Sequence, residues 1–78
     1  MKIAIKEILA RHFLDTSEYI TQTQLAREMV KAGIFKNLHS AQNMIYYNIK
    51  GTAKSLDKDM INFLMERFDL ELNEVIKL

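Results

Sequence analysis

In "SAQNMIYYNIKG", from Ser40 to Gly51, five side chains able to meet a polar partner recur at helical spacing. Gln42, Asn43, Tyr46, Tyr47 and Lys50 stand at i, i+1, i+4, i+5 and i+8. In a helix that advances about 100° per residue they share one side. Ala41, Met44, Ile45 and Ile49 take the other, with Asn48 at its edge. The first side carries two amides, two phenols and an ammonium, and no carboxylate. Such a side suits nucleic acid. Gln and Asn pair bidentately with adenine in the major groove. Tyrosine hydroxyls donate to phosphate, and Lys50 and Lys54 neutralise phosphates near the helix C-terminus. A plainer reading of the same residues is that one tyrosine covers the edge of a core. A third makes the tyrosine pair the anchor of a protein–protein contact, as in a small antirepressor or assembly factor, because Tyr is enriched at binding hot spots.

Charge distribution points the same way as the first reading. The net charge is only +1, but residues 21–55 hold five basic side chains against the single acid Glu28, whereas residues 56–78 hold three against six. The basic middle segment is the one that contains the polar helix side, and it suits an anionic partner.

Other chemistry is poorly supplied. Cysteine is absent, which excludes disulfides, thiolate metal sites and a cysteine nucleophile, and fits a reducing compartment. His12 and His39 are far apart and have no carboxylates at metal-ligand spacing. No Ser-His-Asp arrangement, phosphate-cradling glycine loop or cofactor fingerprint occurs. Asp57 and Asp59 are explained by a helix N-terminus. The expectation is a non-enzyme with no cofactor, no metal and no small-molecule substrate. Lys6 and Glu7 interrupt the first apolar stretch, and no run approaches a membrane span, so a cytoplasmic protein without membrane contact is expected.

The elements that must position the polar side follow from the pattern. Seventy-eight residues, 49% of them apolar, suffice for one domain spanning 1–78. There is no proline, glycine occurs only at positions 33 and 51, and period-two alternation is scarce, so the predicted class is all-α, a compact five-helix bundle. A first helix over about residues 2–14 presents Ile5, Ile8, Leu9 and Phe13 on one face, and Asp15–Glu18 form a loop. The second helix has a capping box, Thr21 with Gln24, and a staple of Ile20 on Leu25. Gly33 suits the left-handed position after it, with Ile34 folding back on Met29. Phe35 and Leu38 plug the core, Ser40 or Asn37 caps the third helix, and Gly51 ends it. Ser55 caps a fourth helix whose apolar face is Leu56, Met60, Ile61, Leu64 and Phe68. A short fifth helix over about 73–77 buries Leu72, Val75 and Ile76. Phe63, Met65 and Leu78 either form an apolar patch for a second subunit or, for Phe63, pack on the first or fifth helix.

Three stretches carry a resemblance. "TQTQLAREM" is similar to the second helix of the lambda-repressor-like, or Cro/CI (XRE), helix-turn-helix family, with Gln22 and Ala26 at its first and fifth motif positions. "IYYNIKGTAKSLD" resembles the end of that family's recognition helix and the following loop, with Gly51 and Leu56 matching the loop glycine and the first apolar residue of helix 4. "LMERFDLELNEVI" resembles its closing segment. Val30 stands where the family usually has glycine, and the path through "KAGIFKNLHS" is longer than the family's turn of about three residues. The resemblance implies a sequence-specific regulator that binds double-stranded DNA as a homodimer. By matching position, Gln22 would bond a phosphate with Thr23 beside it. Gln42, Asn43, Tyr46 and Tyr47, with Ser40 at the helix start, would face the major groove, and Lys50 and Lys54 the backbone.

Overall fold

The computed structural model describes residues 1–77. Five helices, α1 (Ile5–Thr16), α2 (Gln22–Lys31), α3 (Leu38–Lys50), α4 (Lys58–Phe68) and α5 (Leu72–Val75), lie between two short strands, β1 (Lys2–Ile3) and β2 (Ile76–Lys77). The strands pair antiparallel, Lys2 opposite Lys77 and Ile3 opposite Ile76, and Ala4 continues the ladder by donating its N–H to the Val75 carbonyl at 2.7 Å.

This sheet corrects the all-helical expectation at both ends. The first helix starts at residue 5 and not 2, and runs to Thr16 through part of the expected loop. Ile3 and Ile5 are both buried. On a helix they would point about 200° apart, whereas an extended backbone sends residues i and i+2 the same way. The fifth helix stops at Val75 and not Lys77, because Ile76 turns extended to pair with Ile3. Val75 is fully buried, but Leu72 is 53% exposed, against expectation.

The capping chemistry of α2 is as read. Gln24 N–H donates to Thr21 Oγ1 at 3.0 Å, Thr21 N–H donates to Gln24 Oε1 at 2.8 Å, and Ile20 and Leu25 are both buried. At the other end Gly33 takes φ +81°, and the N–H groups of Gly33 and Ile34 close back on the carbonyls of Val30 and Met29, a Schellman ending. Asn37, the second of the two candidates, caps α3 by accepting the Ser40 N–H at 2.8 Å. Gly51 at φ +80° and Thr52 close α3 on Asn48 and Tyr47 in the same way as α2. Ser55 does not cap α4. Asp57 does, accepting the Met60 N–H at 2.9 Å, and so its charge lies at the positive end of the helix dipole.

One apolar cluster is shared by all five helices and β1, with Ile5, Leu25, Met29, Ile45, Met60 and Leu64 fully buried. Phe35, Leu38, Phe63 and Met65 are half-buried against it, so Phe63 packs on the core instead of standing out, while Leu78 lies outside the described residues. Phe13 also departs from expectation: it is 46% exposed. It lies about 80° and 140° around the helix from Ile5 and Ile8, the two buried residues of α1. The core side at that level goes to His12, whose ring meets Phe68 edge-on at 5.1 Å. No helix among the described residues is long and apolar enough to cross a membrane.

Candidate nucleic-acid interface

α3 is held from behind by α2 and by β1. Ala41 and Ile45 are buried, and they orient the helix about its axis. Asn48, expected at the edge of the core face, is fully buried between Met44 and Ala41 on the wheel and forms the lock. Its Oδ1 accepts the Ile3 N–H at 3.1 Å, and its Nδ2 donates to the Met44 carbonyl at 2.9 Å. A buried amide with both ends satisfied ties the helix to the strand at a single rotation.

With that rotation set, the polar side is open. Gln42 and Lys50 are exposed, Tyr46 is 54% exposed and Tyr47 43%. The two rings meet edge-to-face with centroids 5.8 Å apart, and Lys50 Nζ lies 5.5 Å from the centre of the Tyr46 ring. The three side chains thus form one cluster in which a cation and two phenols share a surface. Asn43 is half-buried, and its Nδ2 lies 3.2 Å from His39 Nε2. His39 therefore joins the face. Its i, i+4 spacing to Asn43 was the available signal, obscured by its nearness to the cap.

The remaining sequence candidates fall around this centre. Ser40 is half-buried, and its N–H is already used by Asn37, leaving its hydroxyl. Lys54 is exposed on the loop after α3, where it lines a groove of about 580 Å³ with Tyr47, Met44 and Thr52. Tyr47 and Lys54 thus share one side of the helix end, and Tyr46 and Lys50 the other. Gln22 is exposed and Thr23 half-buried at the start of α2. Gln22 also lines a groove against α1, which sequence reasoning did not anticipate.

The electrostatics match. From Met29 to Leu56 there is no acidic residue, so α3, the loop before it and the loop after it as far as the α4 cap Asp57 are free of carboxylates. The ion pairs lie elsewhere: Arg67 with Glu28 at 2.7 Å, Lys77 with Glu7 at 3.2 Å and Arg11 with Glu74, while the His12 ring is hydrogen-bonded to Glu18 at 2.7 Å. The hydrogen bond that Arg67 donates to the Glu28 carboxylate raises the Arg67 pKa, and the His12 ring holds the Glu18 carboxyl below its ordinary value. No group of three or more potential ligands that could hold a metal occurs among the described residues. Compared with known protein families, curated proteins and solved structures, the chain matches none.

Proposed function

We propose that the chain is a sequence-specific, double-stranded-DNA-binding transcription regulator of the lambda-repressor-like helix-turn-helix kind. α3 would be its recognition helix, and it would act in the cytoplasm as a homodimer without cofactor. The observation that carries this is the exposed, carboxylate-free side of α3, with Tyr46, Tyr47 and Lys50 clustered at its centre. Order and packing support it: a capped α2 precedes α3 and packs on it, and α4 and a short α5 follow. The six-residue connection from Ala32 to Asn37 is longer than the turn of that class. It is still built, not slack, since Gly33 closes one helix, Asn37 opens the next, and Phe35 is anchored in the core between them. In this reading α3 lies in the major groove with Gln42, Asn43 and Tyr46 toward base edges. Lys50, Lys54 and Gln22 meet phosphates.

A second reading has one observation in its favour. An exposed tyrosine pair on a chain of net charge +1 also suits a protein partner. Salt separates the two. Binding to duplex DNA, followed by fluorescence anisotropy, should weaken steeply as salt rises, and Lys54→Ala should weaken all sequences alike and shallow the salt slope by about one. Combined replacement of Gln42, Tyr46 and Lys50 by alanine should reduce affinity to the level of non-specific binding. Unchanged affinity at low salt in that triple variant excludes the α3 face.

A further inference from the structure

α1 has an uncovered side of its own. Phe13, Leu14 and Tyr19 are 46%, 80% and 72% exposed, and the Phe13 and Tyr19 rings meet edge-to-face with centroids 6.2 Å apart. With Lys6, Ala10 and Ile20 they line an open groove of about 590 Å³. Its lining contains no carboxylate, and its one charged residue is Lys6. No residue of α3 belongs to it.

We propose that this groove is where a second copy of the chain docks, α1 crossing α1 antiparallel about a two-fold axis near Ala10. The surface is complementary to itself. Lys6, Ala10 and Leu14 stand at i, i+4 and i+8, so an exposed alanine separates a protruding leucine from a lysine stem. Around a two-fold axis each Leu14 enters the partner's groove beside Lys6 and Ala10, and the small central residue lets the helix axes approach. Such a contact is isologous, each surface serving twice. The antiparallel sense follows from charge, because it separates the two Lys6 ammonium groups to opposite ends of the contact, whereas a parallel crossing would bring them together. The area is sufficient for a reversible dimer. The two rings and Leu14 expose on the order of 400 Å² per copy. Doubled, and widened by the stem of Lys6 and the exposed Ala10, the contact approaches the roughly 1,000 Å² at which specific interfaces begin. This names the surface of the homodimer put forward above, while its own observations need no DNA.

Sedimentation equilibrium of the whole chain, without DNA, tests it. A monomer–dimer equilibrium with a dissociation constant on the order of tens of micromolar is expected for so small an interface. Leu14→Glu and Ala10→Lys should each weaken it by about tenfold or more, with unchanged helical circular dichroism because both positions are exposed. Tyr46→Ala, on the α3 face, should leave it unaltered. A chain that stays monomeric to millimolar concentration overturns the proposal. So do α1 variants that associate like the parent, and so does loss of the dimer in Tyr46→Ala. A dimer that binds no DNA would uphold this surface and remove only the DNA reading.

Discussion

Asn48 helps to aim the α3 face through the two hydrogen bonds of its buried amide. It stands three residues C-terminal to Ile45 and its amide joins α3 to β1, yet it lies directly between Tyr47 and Ile49 in the chain. Asn48→Ala would leave the Ile3 N–H buried without its acceptor and open a small cavity. The expected cost is about 1–3 kcal/mol of stability, read as a lower midpoint in urea. DNA affinity should fall with it, because α3 loses its rotational lock. At this scale the sequence was only partly legible. Helical spacing separates Tyr46 and Lys50 from Ile45 and Ile49, and at about 100° per residue it sets Asn48 between Met44 and Ala41 on the core side, but it cannot show what partner lets an amide be enclosed there. That depends on the Ile3 N–H, 45 residues earlier in the chain.

Among the elements, the helix ends were the most legible parts and the chain ends the least. Thr21 with Gln24, and the glycines at 33 and 51, act locally, through hydrogen bonds spanning three to five residues. The same locality makes them testable. Gly51 has φ +80°, and a Cβ built there would meet nothing within 4 Å, so Gly51→Ala costs only the strain of a left-handed backbone. The expected loss is about 1–2 kcal/mol, measured by thermal unfolding, with the fold retained. Ser55 and Asp57 illustrate the limit of local rules. Both are good caps, and the choice fell to the one whose carboxylate lies three residues before Met60, a fully buried residue of α4. β1 and β2 were not legible, since two-residue strands leave no period. Their pairing is set by the wish of Ile3 and Val75 to enter one core from opposite ends of the chain.

Over the whole molecule, charge is divided by task. The carboxylates sit on α1, α2, α4 and α5 and in the loops beside them, none of them on α3, and several are tied to bases on another element. Three of them are held below the ordinary carboxylate value of 4.5: Glu7 chiefly by a backbone N–H bond, Glu18 by the His12 ring, and Glu74 by the Glu71 N–H and then Arg11. A carboxyl whose folded pKa is depressed contributes stability above its unfolded value and loses it as pH falls through the folded value. The contribution of these three carboxyls to stability should therefore be full above about 5 and decline below 4.5, as the Lys77–Glu7 and Arg11–Glu74 pairs that tie β2 and α1, and α1 and α5, are lost. Urea midpoints across that range check it. The carboxylate-free side of α3 takes no part in this titration.

The DNA-binding role proposed for this side of α3 is open to direct test. Selection of bound sequences from a random duplex library at moderate salt, using the 78-residue chain, tests it most directly. Enrichment of a defined motif is expected, built of two inverted half-sites if the chain dimerises on DNA, with its loss when Gln42, Tyr46 and Lys50 are replaced together. A bound pool indistinguishable in sequence from the input would contradict it.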